Sequence, residues 1–376
     1  MKHRNCDFFV RQVLAATVFC LCIAAPAAWA GNLFSGPVNS PAGRYPGALA
    51  AGDFNGDGFA DLAIANMNPV QPNSQVKILL GKGNGTFQKP VGYNVRRNPS
   101  SVAAGDFNGD HKLDLVIVNY PENLSVLLGN GDGTFQHQTN YRAGQSPLRV
   151  AVGDLNGDGK LDLAVVGQSQ AGNQVVRLGN GDGTFEPQIK VPAIHLPSYM
   201  VLGDLDGDGK LDWVISGQNN KKSIVSLLGN GDGTFRMVWT LKGSPNAAIA
   251  LGDFNGDGKL DLAETWESGL EIWLGKGDGT FHDGGRYFFG NGLSGVAIAD
   301  FDGDGVLDIA TIDSSNKVDV LLGKGDGTLK FESSYPVGVF LVDIIAADVN
   351  GDGKPDLVVT DSGNHTVSVL LNTGKK

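Results

Sequence analysis

Asp253, Asn255, Asp257 and Asp261 place four oxygen-bearing side chains within nine residues, in the stretch DFNGDGKLDLA. Close copies begin at Asp53, Asp106, Asp154, Asp204, Asp300 and Asp348. Each copy offers side-chain oxygens at its first, third, fifth and ninth positions, with glycine at the fourth and, His111 apart, at the sixth. Alternating positions in a tight loop aim oxygens at one point, and a hard cation such as calcium takes about six to eight of them. Without a cation, carboxylates held this close repel and raise one another's pKa. Asn, Asp and Gly also dominate ordinary turns. A metal-free turn accounts for the glycines and one aspartate, yet it leaves Asp at positions one, five and nine of every copy unexplained. Magnesium fits less well, because it keeps several of its waters.

An EF-hand opens with similar spacing but needs a bidentate Glu at position twelve and flanking helices. Position twelve here is Glu264 in one copy, Thr311 in another, and Ile64, Ile117, Val165, Ile215 or Val359 elsewhere. The ninth-position aspartate is expected to replace that ligand. Position seven, Lys259 in the fifth copy, can usefully offer only its backbone carbonyl.

The elements that hold these loops follow from the repeat. Successive copies start 47 to 53 residues apart, and a period of that size with several short strands per copy points to a propeller. In the second copy, SSVAAGDF, LDLVIVNY and NLSVLLG read as three strands, and NGDGTF as a tight turn before a variable fourth. The strands are nearly continuous in apolar residues, as expected where neighbouring sheets cover both faces. Ala103 and Ala104 suit the crowded strand nearest an axis, and no helix is expected. The turn motif recurs at Gly81, Gly129, Gly179, Gly229, Gly275 and Gly323. A phosphate-cradling role for it would require a following helix, so hairpin turns are expected, with Phe87, Phe135, Phe185, Phe235 and Phe281 packing between blades.

The expected fold is therefore all-β: a seven-bladed β-propeller with four-stranded blades. The last copy stops after three strands, and LFSGPVNSPAGRYPGALAAGDF near the N-terminus supplies a fourth. Their pairing would complete the last blade and leave no open sheet edge; an open array is the alternative.

Lys2, Arg4 and Arg11 precede an apolar run from Val13 to Ile23, and Ala28-Trp29-Ala30 forms a small-x-small site. Residues 1–30 thus read as a signal peptide cut near Ala30–Gly31, with residues 31–376 as a single propeller; a retained anchor is the rival reading. Cys6, Cys20 and Cys22 all lie in that leader, so the mature chain carries no disulfide. The net charge is −11, and more than half of the 40 Asp and Glu residues sit in the repeated loops. An acidic surface argues against nucleic acid or anionic membrane as a partner. The expectation is a secreted or periplasmic monomer that is not inserted in a membrane once the leader is removed.

With these residues in hand, the chain resembles the FG-GAP, or VCBS, repeat family and is similar to the calcium-binding blades of the integrin α-subunit head. The resemblance spans residues 34–372. It implies up to seven structural Ca2+ ions, held by Asp53, Asn55, Asp57 and Asp61 in the first loop and Asp106, Asn108, Asp110 and Asp114 in the second. It carries over likewise to Asp154, Asn156, Asp158 and Asp162, to Asp204, Asp206, Asp208 and Asp212, and to the fifth loop already named. Asp300, Asp302, Asp304 and Asp308, then Asp348, Asn350, Asp352 and Asp356, complete the set. Position seven would add the carbonyls of Phe59, Lys112, Lys160, Lys210, Lys259, Val306 and Lys354. His111 departs from the pattern, so the second site is expected to be strained and weaker. Family members include adhesion receptors, lectins and domains attached to enzymes, so the resemblance leaves molecular function open.

Function is then expected where the copies differ, on the face opposite the acidic loops. Tyr93, Arg96, Arg97, Tyr141, Arg142, Arg149, His195, Tyr199, Trp266, Arg286 and Tyr287 are expected to gather there, a composition suited to a protein or sugar. The leading reading is a lectin-like binding or cell-adhesion module for a surface glycan or protein, not an enzyme. The alternatives are a polysaccharide-active enzyme, with an acid/base pair drawn from Glu122, Glu264, Glu267, Glu271 and Asp283, and a cell-envelope scaffold.

Overall fold

The small, apolar strand Pro46–Gly52 (PGALAAG) runs antiparallel to Asp61–Asn66, which pairs in turn with Ser74–Leu79 and Val91–Val95. The computed structural model describes residues 32–67, 74–169, 173–191, 194–218 and 223–374 and repeats this four-stranded meander through seven sheets. The expected signal segment lies outside the described residues. Numbering blades along the chain, the innermost strands are Pro46–Gly52, Pro99–Gly105, Pro147–Gly153, Pro197–Gly203, Ile249–Gly252, Gly295–Ala299 and Leu341–Ala347. Each touches the next, and the seventh touches the first, so the ring is closed. Gly52 shows why small residues belong there: an added Cβ would lie 2.5 Å from a Leu113 methyl of blade two.

Blade seven is completed from the other end of the chain. Val38–Pro41 pairs with Thr366–Leu370, with Val38 opposite Val369. Phe34 anchors that strand, its ring edge-on to Phe301 and Tyr335 at 5.4 and 5.7 Å. No helix occurs among the described residues, and none is long and apolar enough to cross a membrane.

The second strand of each blade is buried on both faces; all six residues of Asp61–Asn66 and of Asp114–Asn119 are buried. The phenylalanines that follow the hairpin turns fill the seams between blades as expected. Phe135 of blade two meets Phe54 of blade one at 5.6 Å, and Phe185 of blade three meets Phe107 of blade two at the same distance.

Because the meander alternates direction, its connectors segregate. The acidic loops and the hairpin turns share one face. The connectors after each second strand, and those leading into each innermost strand, share the other.

Candidate functional site

The acidic loops form one hydrogen-bond pattern copied seven times. In the fifth, Asp253 Oδ1 accepts the Gly256 N–H at 2.7 Å and Oδ2 accepts the Gly258 N–H at 2.8 Å. Asn255 Oδ1 accepts the Asp257 N–H at 2.9 Å, and Asp257 Oδ1 accepts the Lys259 N–H at 3.0 Å. The first-position contact measures 2.7 Å in all seven loops. Gly256 and Gly258 hold φ of 74° and 78°, a turn that folds the odd-numbered side chains onto one side. Ionised carboxylates keep further lone pairs beyond those contacts. In the fourth and sixth loops, Asp204, Asp206 and Asp208, and Asp300, Asp302 and Asp304, each bring carboxylate oxygens within 4.8 Å of one another, a grouping that could hold a metal ion. In the other five, the third position is an amide held by the same local turn.

The ninth-position aspartate takes on a role that the sequence reading did not anticipate. Asp261 is fully buried; its Oδ2 accepts the Phe254 N–H at 2.9 Å and its Oδ1 the Gly275 N–H at 2.8 Å. It therefore brackets the acidic loop to the hairpin turn of its own blade. Asp61, Asp114, Asp162, Asp212 and Asp308 do the same, and in blade seven Asp356 ties the Val349 N–H to the Asn372 N–H beyond the third strand. Burial pushes Asp61, Asp114, Asp212, Asp308 and Asp356 up to about 6; backbone N–H groups oppose the shift, and carboxylates of the same loop add to it. Asp162 and Asp261 rise for the same reasons. A bound cation would relieve that repulsion.

The bracket extends to the next blade. The Gly133 N–H of blade two donates to the Phe54 carbonyl in the first loop at 2.9 Å, and Gly183 to Phe107 at 2.8 Å. Equivalent bonds join Gly233 to Leu155, Gly327 to Phe254 and Gly85 to Val349. An ordered acidic loop thus fixes one wall of its neighbour.

Two loop positions behave differently from their neighbours. At position seven, Lys112, Lys160 and Lys259 place Nζ 3.5 to 3.6 Å from the fifth-position carboxylate, and Lys210 does so at 2.7 Å. These exposed ammonium groups occupy the side of the carboxylate that a cation would compete for. His111 sits at φ 63° and still donates its N–H to Asp106 Oδ2 at 2.8 Å. The second loop keeps the hydrogen bonds and the left-handed turn of its siblings; what differs is a side chain in that conformation, with the imidazole Nδ1 3.9 Å from Asp106 Oδ2.

On the opposite face, the expected cluster of aromatic and basic residues does not form one site. Tyr93 and Tyr141 pack in blade seams against Phe135 and Phe185, both at 5.5 Å, and the Tyr287 hydroxyl accepts the Leu329 N–H at 3.0 Å. Trp266 lies edge-on to Phe288 at 5.3 Å, with the Arg286 guanidinium 5.8 Å from its ring. Arg149 stacks on Tyr199 at 3.9 Å. Arg96, Arg97, Arg142 and His195 are exposed at separate places. What the face does carry is a cavity of about 730 Å³ lined by none of these eleven. Its walls come from the same connectors but from quieter residues, among them Tyr45, Asn98, Tyr120, Ser146, Gln168 and Phe340. The signal for them was an X-Pro step leading into four of the innermost strands: Tyr45, Asn98, Ser146 and Leu196 precede Pro46, Pro99, Pro147 and Pro197, all at positive φ.

Of the five candidate acid/base residues, the structure brings two together. Glu264 and Glu271 stand opposite each other on neighbouring strands of blade five. Glu264 Oε1 accepts the Ser244 N–H at 2.5 Å and Oε2 the Trp273 Nε1–H at 3.2 Å, while Arg286 Nε donates to Glu271 Oε1 at 2.8 Å. Burial pushes Glu264 up to about 7, the Ser244 N–H opposing and the Glu271 carboxylate adding. Both carboxyls are buried, whereas Glu122, Glu267 and Asp283 are exposed and apart. The pair ties the connector at Gly243 and Ser244 into the seam between blades four and five.

A model of the FG-GAP-like repeat matches residues 53–117, 106–165, 154–215, 204–264, 265–311 and 300–359. The chain belongs to that repeat family. Among solved structures, an Agrocybe aegerita lectin with specific recognition of non-reducing terminal N-acetylglucosamine is similar at 21% identity, covering 78% of this chain and 80% of that one with a TM-score of 0.55. BBS1N, in complex with ARL6DN, is similar at 13% identity over 91% and 97% of the two chains, with a TM-score of 0.64. Rhamnogalacturonan lyase YesW is similar at 14% identity over 90% and 75%, with a TM-score of 0.52. These likenesses are of fold. No curated protein matches the chain.

Proposed function

We propose that the protein is an exported binding or adhesion module that recognises a surface glycan or protein, braced by Ca2+ in each of its seven loops. The division of the molecule into two faces carries this reading: seven near-identical oxygen-lined loops on one side, a cavity of about 730 Å³ among divergent connectors on the other. The ions would be held by the side chains at positions one, three and five, with the ninth-position aspartate supplying charge and the bracket. Calcium prefers such flexible oxygen-rich loops. Its role here is to neutralise clustered carboxylates and hold the connectors between blades. The lectin among the structural neighbours supports a sugar ligand.

On this reading residues 1–30 are a cleaved leader, and the mature propeller, residues 31–376, acts as an exported monomer. A polysaccharide-degrading activity is disfavoured by the burial of Glu264 and Glu271, the pair that the structure brings together from the five candidate acid/base residues. A glycan array run beside a depolymerisation assay on the same sugars tests both. Binding without turnover is the expected outcome, and turnover would replace this reading with an enzyme. A protein partner captured from an exported fraction and not displaced by free sugar would select the scaffold alternative.

A further inference from the structure

The cavity does not surround the propeller axis evenly. Its lining comes from blades seven, one, two and three. On the remaining side, the Tyr199 hydroxyl of blade four donates to the Ser294 carbonyl of blade six, and the Arg149 guanidinium of blade three stacks on the Tyr199 ring while its Nε donates to the Ser198 carbonyl at 3.2 Å. These contacts tie blades three, four and six together across their inner ends, and the opening is left as a crescent over blades seven, one, two and three.

The crescent has an unusual chemistry for this chain. None of its lining residues is charged, although the protein carries a net charge of −11. Tyr45, Tyr120 and Phe340 stand along its rim with 41%, 51% and 64% of their surfaces exposed. They are supported from behind: Tyr45 lies edge-on to His365 at 5.2 Å, the Tyr120 N–H donates to the Asn98 carbonyl at 3.1 Å, and Asp361 accepts the Val339 and Phe340 N–H groups at 3.1 Å. The amides of Asn98 and Gln168 share the lining with these rings, and the buried Ser100 hydroxyl in the wall has no hydrogen-bond partner. The volume, about 730 Å³, is that of a small-ligand site.

Resting on the binding role proposed above, we infer that this crescent seats a neutral oligosaccharide of a few pyranose rings. A pyranose offers an apolar C–H face to an aromatic ring and hydroxyls at its edge to amides, which matches a lining that combines the two. An apolar peptide side chain would cover the rings but leave the amides of Asn98 and Gln168 sealed off without partners, which is unfavourable. A uronic or sulfated sugar would bring its anion against a wall with no cation to receive it. The supported rim is ordered before the ligand arrives, so little conformational freedom is lost on binding.

The test titrates the full mature chain with neutral oligosaccharides, with uronic-acid oligosaccharides of matched length, and with an apolar peptide. The neutral sugars should bind. The double variant Tyr120→Ala/Phe340→Ala should weaken that binding roughly tenfold or more with an unchanged melting midpoint, and Gln168→Ala should weaken it less. Neutral-sugar binding that survives the double variant overturns the seat but leaves the binding role standing. Preference for the uronic sugars, or for the peptide, overturns the ligand class. No binding of any sugar overturns this inference, and the broader reading fails with it only if no exported protein is captured either.

Discussion

The two faces of the ring are built by the ends of the same strands and obey different rules. On the acidic face, the contact between the fourth N–H and the first carboxylate holds at 2.7 Å through seven loops. On the other, the connectors vary in composition, and Tyr45 and Leu196 accept left-handed backbone conformations that a side chain resists. The difference separates two ways of using a residue. In the loops, backbone N–H groups select the side chain, and any copy that lacks the right oxygen loses the turn. Around the cavity, the turn is held by proline and by neighbouring carbonyls, which frees the exposed side chain to differ from blade to blade.

Removing divalent cations should strike the acidic face alone and give the largest effect. A loop filled at about a hundred times its Kd gains about 2.7 kcal/mol, and even weak filling multiplied over seven loops should lower the melting midpoint by roughly 10 °C or more in chelator. A shift of about a degree or less would remove calcium from the account of stability. Next, Asp261→Ala should cost on the order of 3 kcal/mol or more in urea unfolding, because two buried N–H groups lose their acceptor. That loss should persist undiminished in chelator, whereas the loss from Asp257→Ala should shrink there to the small part owed to its exposed bond from the Lys259 N–H. Equal behaviour of the two variants would erase the distinction between bracket and ligand.

A pH titration probes the seam between blades four and five. Glu264 is raised from 4.5 to about 7, so its favourable neutral form is fully present below about 4.5 and its contribution is lost as pH rises towards 7 and beyond. The loss amounts to roughly 3 kcal/mol at most. Glu264→Gln should flatten that slope measured in chelator, and an unchanged slope would show that the carboxyl is not the source. Smallest of all, Phe340→Ala should change unfolding stability by no more than about 0.5 kcal/mol. A loss well above that would make the cavity rim part of the core.

Much of this architecture was legible because it is written seven times. The spacing of Asp53, Asp106 and their successors gave the blades, and the unfinished last copy gave the closure by Val38–Pro41. Position nine was recognised as acidic and invariant, but its bracket was not visible. The acceptor at Asp61 and the donor at Gly81 stand 20 residues apart and meet only through sheet register. The cavity was missed in a different way. Arg96, Tyr141 and Trp266 look chemically apt, yet whether a side chain faces a seam or the opening depends on strand alternation and on turn conformation. Tyr45, Asn98 and Ser146 reach the opening because they precede a proline at positive φ, a geometric reason with no chemical signature of its own.

The pairing of Val38–Pro41 with Thr366–Leu370 also bears on how the chain is made. The strand is made before all seven copies of the repeat, and its partner after the last acidic loop. Ser35 and Leu371 are hydrogen-bonded across 336 residues, so the ring cannot shut until every blade between them has been made. Until then, blade seven's outer edge has no occupant, and a short strand with unsatisfied N–H groups waits in solution. Closure is thus the last and least local event of folding.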